Sequence, residues 1–177
     1  KEIPEVFGTS EPYGLLSNRV DILSFQTDPL ACDIEMTGGV QVALWVSSTA
    51  VDTDFTVKIL DIYPPNNSYP EGYHLNLADS VMRSRYRNGF LKPEMMNPGE
   101  IYEIGFELPP ISNLFKAGHC IRVDIASSNF PRFDVNPNTG EKMGRHKNTV
   151  KAKNTIYFSQ RYPSLVVLPL IRTGAYT

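Results

Sequence analysis

The stretch Val40-Gln41-Val42-Ala43-Leu44-Trp45-Val46 decides the fold class. Val40, Val42, Leu44 and Val46 share one side of an extended chain, while Gln41, Ala43 and Trp45 face the other way. Trp45, lying mid-strand in this apolar run, is expected in the core. The same period recurs downstream. Phe55, Val57 and Ile59 alternate with Thr56 and Lys58; Leu60 and Ile62 then carry the apolar phase on the opposite face. That switch predicts a bulge, or a strand buried on both sides. Tyr102, Ile104, Phe106 and Leu108 alternate with Glu103, Gly105 and Glu107. Ile121, Val123 and Ile125 alternate with Arg122 and Asp124. Weaker strand signals lie at 20–25, 34–36, 74–77, 81–86, 155–158 and 165–171.

Turn residues separate these runs: Thr37-Gly38-Gly39, Pro64-Pro65-Asn66-Asn67, Asn97-Pro98-Gly99 and Asn136-Pro137-Asn138-Thr139-Gly140. No segment keeps a helical apolar period over three turns; one short helical turn is expected around 112–116. Nine or ten short strands with frequent turns read as an all-β fold, a β-sandwich or jelly roll. Residues 1–19 read as an arm or linker, and 20–177 as the β-sandwich domain. There is no internal repeat.

A chain of 177 residues fits one domain. Folding at this size buries roughly 70% of the unfolded surface, enough for stability without a metal or disulfide. A net charge of −2 gives no pull toward nucleic acid or an anionic membrane. No apolar run reaches membrane-span length. The start, Lys1-Glu2-Ile3-Pro4, lacks the apolar stretch of a signal peptide, and the cytoplasm is the favoured location. Cys32 and Cys120 read as two buried free thiols, with a disulfide the alternative. No Cys/His cluster suggests a metal, and no cofactor motif is present.

Catalytic motifs are missing. There is no G-x-S-x-G; the nearest string, Gly8-Thr9-Ser10-Glu11-Pro12, ends in proline. His74, His119 and His146 have no activated nucleophile nearby in sequence and read as structural or solvated. Asp52-Thr53-Asp54 could offer carboxylates to calcium, but a solvated turn is the favoured reading. Arg83, Arg85 and Arg87 stand at period two; a strand over 81–87 would point all three to one face, about 7 Å apart. Such a row could clamp carboxylates or phosphates; a polar outer face, or an interface with another domain, is favoured. Ser127-Ser128-Asn129-Phe130-Pro131-Arg132-Phe133-Asp134 combines aromatics, a proline and an Arg–Asp pair. It reads as a fixed loop: a binding loop, or, as favoured, a structural corner.

That stretch also carries a likeness. Residues 118–141, GHCIRVDIASSNFPRFDVNPNTGE, resemble the C-terminal domain of the X-Pro dipeptidyl-peptidase/cocaine esterase (CocE/NonD) serine hydrolases. Further matches follow in order: DILSFQTDPL (21–30), GGVQVALWVSSTAVDTDFTVKILDIYP (38–64), LADSVMRSRYRNG (77–89), KPEMMNPGEIYEIGFEL (92–108) and TIYFSQRYPSLVVLPLI (155–171). An ordered series is far more specific than one motif.

The resemblance implies a galactose-binding-domain-like jelly roll. It implies a parent enzyme that cleaves esters, amides or X-Pro dipeptides by acyl transfer, with Ser, His and Asp in a preceding α/β-hydrolase domain. No position here matches those residues, so the chain is expected to be non-catalytic, with residues 1–19 arriving from that domain. The implied partners are the hydrolase domain and its helical cap, against which the jelly roll helps shape the substrate cleft. An isolated domain would then expose apolar surface that its partner covers. Asn129, Phe130, Arg132 and Phe133, with Arg83, Arg85 and Arg87, are the expected contact residues. The alternatives are a free-standing carbohydrate-binding module, which would need exposed aromatics on one face or loop end, and an enzyme with an unrecognised site. The sequence carries no signature of oligomeric state.

Overall fold

Strand β2 (Ile34–Ser48) is the spine of one sheet, because its even-numbered apolar residues from Met36 to Val46 all face inward. The computed structural model describes residues 21–171, so the expected arm at 1–19 lies outside the described residues. The other strands are β1 (Leu23–Gln26), β3 (Asp54–Tyr63), β4 (Tyr73–Arg83), β5 (Tyr102–Phe115), β6 (Cys120–Ala126), β7 (Asn154–Ser159), β8 (Tyr162–Pro163), β9 (Leu165–Val167) and β10 (Leu170–Ile171). A 3-10 turn, Ser84–Tyr86, follows β4. No α-helix occurs among the described residues.

One antiparallel sheet runs β1-β6-β3-β4. In the other, β5 pairs along one edge of β2, and β7, β9 and β10 pair in turn along its opposite edge, with β8 on β7. The two inner faces meet in one core of Val42, Leu44, Phe55, Val57, Ile59, Ile104, Phe115 and Ile125 among others. This is the expected β-sandwich, and alternation on both faces is what builds it.

The phase switch in β3 is a strand buried on both sides: β3 keeps unbroken register with β6 from Thr56 to Ile62, so Leu60 faces away from Val57 and Ile59 yet is fully buried. The bulge lies in its partner β4, where Ile59 pairs Ala78 but Leu60 pairs Asn76, leaving Leu77 as the extra residue. A second bulge corrects an expectation. Thr37-Gly38-Gly39 is not a turn but lies within β2, where Gly39 alone faces Pro109 and Pro110. Glu107 lies so close over Gly39 that a Cβ there would fall 1.8 Å from its Oε1. The helical turn expected around 112–116 is likewise strand, since Phe115 to Ile111 pair with Ile34 to Gly38. Trp45 is also corrected: it lies half-buried on the outer face, its ring 5.2 Å from Tyr162. Its odd position in β2 requires that face. Cys120 is buried and Cys32 exposed; both are free, so the expectation of two buried thiols fails for Cys32.

Candidate functional site

The register brings three connections to one end of the sandwich: 49–53, 84–101 and 127–153. A buried ion cluster ties them together. Asp52 and Asp54 flank the start of β3 and are almost fully buried. Arg83 reaches Asp54 with two parallel bonds, Nε to Oδ1 and Nη2 to Oδ2, each 2.9 Å. This bond to Asp54 is the main reason that the Arg83 guanidinium is held above its ordinary pKa. Arg85 donates from its backbone N–H to Asp52 Oδ1 (3.0 Å) and from Nε to Asp52 Oδ2 (2.8 Å). Its Nη2 also donates to the Glu141 carbonyl. Asn136 Nδ2 bridges both acids, 2.8 Å from Asp52 and 2.7 Å from Asp54. Two acids and two arginines balance, so the cluster carries charge into the interior with every charge paired.

This geometry overturns two sequence expectations. Asp52 and Asp54 form neither a solvated turn nor an open carboxylate pair, because arginine and asparagine occupy them. Nor do Arg83, Arg85 and Arg87 form a row. The strand ends at Arg83, and the 3-10 turn swings Arg85 inward, leaving it 5% exposed. A carboxylate as buried as Asp52 needs a charged donor, and that need outweighs continued alternation. Arg87 turns elsewhere: it donates to the carbonyls of Ser84 and Glu94 and stacks 4.4 Å over the Tyr102 ring.

Around this rigid base the loops expose large apolar side chains. Phe90 is 78% exposed and Leu91 fully so, on the segment that Arg87 braces. Phe130 is 69% exposed at the tip of the segment 129–133, where its peptide bond to Pro131 is cis. Met95, Val135 and Val150 add to the same end. Of the loop residues singled out from sequence, Asn129 is buried, Phe133 half-buried, and Phe130 and Arg132 exposed. Phe90 and Leu91 were not anticipated; an apolar pair directly after Gly89, between two turns, is the signal that could have found them.

The opposite end holds the nearest thing to a catalytic pair. His119 Nδ1 lies 2.7 Å from Asp61 Oδ1, and Asn113 donates to the other oxygen of Asp61. The Tyr63 ring sits 4.2 Å from the imidazole. No serine, threonine or cysteine side chain hydrogen-bonds His119 among the described residues, so the pair lacks a nucleophile to activate. Tyr69 and Tyr73 stack on each other at 4.8 Å and edge onto Tyr63. No group of three or more acidic, His or Cys side chains suited to a metal occurs among the described residues. No helix among them is long and apolar enough to cross a membrane.

Comparison with known proteins gives this sandwich a family. The family model described as the X-Pro dipeptidyl-peptidase C-terminal non-catalytic domain matches residues 6–167. The chain belongs to this family. As a member of the X-Pro dipeptidyl-peptidase C-terminal domains it is 40% identical, over 159 residues, to cocaine esterase of Rhodococcus sp. (strain MB1 Bresler). That match takes in 89% of this chain and 27% of the esterase. Among solved structures, an alpha-amino acid ester hydrolase superposes with a TM-score of 0.80 at 32% identity, covering 89% of this chain and 26% of that one. An aminopeptidase from a marine sediment archaeon, Thaumarchaeota archaeon, gives 0.82 at 30% identity, covering 89% and 27%. The chain thus spans about a quarter of each relative's length, and those relatives are hydrolases by name.

Proposed function

We propose that this chain is the C-terminal domain of a longer CocE/NonD-type serine hydrolase, residues 1–19 arriving from the catalytic part. Its loop end packs on the α/β-hydrolase domain and its cap and borders the substrate cleft. The observation that carries this reading is the apolar group Phe90, Leu91 and Phe130, displayed on loops that a buried ion cluster holds rigid. Exposed apolar side chains on mobile loops are ordinary surface; on a braced end they are a preformed contact. The parent performs acyl transfer on an ester, amide or X-Pro substrate, as its named relatives' hydrolase activities suggest. Two free thiols, one exposed, suit a reducing cytoplasm.

The test is made in the full-length hydrolase. Replacing Phe90 and Leu91 together by serine is expected to lower the Tm of the catalytic domain and raise KM for a nitrophenyl ester several-fold, with the nucleophile intact. Unchanged Tm and KM would remove the loop end as the docking surface.

A further inference from the structure

We infer that Asp79 is a positioning residue that holds Phe130 and Arg132 as a preformed plug for an apolar socket rimmed by a carboxylate on the catalytic domain. The inference rests on the packing proposed above. Asp79 lies on β4, on the outer face of its sheet. The register sets it in a row across all four strands: Ser24, Asp124, Lys58, Asp79. It is only 4% exposed, yet it serves no part of the sandwich core. Its contacts are instead mostly with the 129–133 loop. Asn129 Nδ2 donates to Oδ2 at 2.8 Å, and Arg132 Nε lies 3.0 Å from Oδ1. Within β4 the link is weaker: Asn76 Nδ2 stands 3.4 Å from Oδ2. The Phe133 N–H closes the loop on the Asn129 carbonyl at 3.1 Å.

Phe130 and Pro131 therefore stand between two side chains anchored on one carboxylate. A free loop would lose its conformational freedom on docking; this one has lost it beforehand, which favours association. The partner's chemistry follows from what remains exposed. The Phe130 ring calls for an apolar pocket. Arg132 is held to Asp79 by charge, as an ion pair without a directed hydrogen bond, and its side chain stays about half exposed, so its outer guanidinium edge suits a carboxylate at the rim. Both features sit on one turn of the braced loop, and so fit one socket.

The test uses the full-length hydrolase with a nitrophenyl ester as probe. Phe130→Ala is expected to raise KM about tenfold with kcat within about twofold. Asp79→Ala is expected to reproduce that split, and the double variant to be no worse than either single one. Asp79→Asn, which keeps an oxygen for Asn129, should recover most of the loss. Arg132→Ala, which leaves the sheet untouched, covers the case in which Asp79→Ala fails to fold. Additive effects of Asp79→Ala and Phe130→Ala, or equal loss of kcat, would overturn the positioning role while leaving the packing reading intact. If Phe130→Ala is silent while the Phe90 and Leu91 replacement is not, the plug is wrong but the loop end still docks. If all are silent, both readings fall.

Discussion

Asn136 offers one amide nitrogen to two aspartates, and the arrangement is stable only because Arg83 and Arg85 supply the opposite charge from behind. Removing one partner of such a cluster leaves a charge buried without compensation. Arg85→Ala is expected to destabilise the domain by about 3–5 kcal/mol, since Asp52 is fully buried and cannot turn to water. Arg83→Ala should cost less, about 2 kcal/mol, because that arginine already reaches solvent. Urea unfolding checks both; the midpoint should fall, further for Arg85→Ala, with the slope unchanged. Equal shifts would mean that burial does not govern the cluster. None of this was legible in sequence. Asp52 and Arg85 are 33 residues apart, and nothing local distinguishes a paired Asp from a solvated one. Phe130 and Arg132 were legible because aromatics beside a proline and a charge are unusual in a polar loop. Their anchor Asp79 was not, since it is an ordinary polar position in an alternating strand.

Element boundaries failed where pairing outweighs local signals. Pro109-Pro110 followed by Ser112 and Asn113 looks like a break and a helical turn. Yet β5 runs through it, because pairing with β2 holds on both sides of the break and the prolines occupy a bulge, where their missing N–H groups leave no ladder bond unmade. Long alternating runs such as 40–46 read correctly because a period of two admits no other element at that length. Turns are the opposite case, set by single residues. Gly72 closes the connection from β3 to β4 with φ +78°, and a Cβ there would meet the Tyr63 carbonyl oxygen at 2.7 Å. Gly118 has a similar φ, +84°, but open space around it. Both alanine variants meet the left-handed penalty of about 1–2 kcal/mol. Only Gly72→Ala adds a backbone collision, so it should be the more destabilised of the two in thermal melts. It should also disturb the tyrosine near-ultraviolet signal, since Tyr63, Tyr69 and Tyr73 flank that turn. Equal losses would show that backbone shifts relieve the clash.

At the scale of the whole molecule, the described residues close the sandwich with core at one margin and leave it open at the other. Between β1 and β6 on one sheet, and β7 and β9 on the other, lies a groove of about 250 Å³. Phe25, Leu44, Val123, Ile125, Phe158, Leu165 and Val166 line it. Phe25 and Phe158 meet edge-to-face at 5.3 Å across its mouth. Sequence alternation told which residues face inward but not how well the sheets close, because closure depends on side-chain volumes summed over both faces. The difference gives opposite signs to the same chemical change. Val166→Ile adds one methylene into unfilled apolar space and should stabilise by about 0.5–1 kcal/mol. Val57→Ile adds the same group at a fully buried position in the middle of β3, where the core is already packed. That change should cost about 1–3 kcal/mol through displaced neighbours. Both keep the β-branched side chain, so strand preference does not separate them. Urea midpoints measured side by side decide the matter: a rise for Val166→Ile with a fall for Val57→Ile is expected. A fall for both would mean that the groove closes around its lining in solution, and that the open margin is as tightly packed as the core.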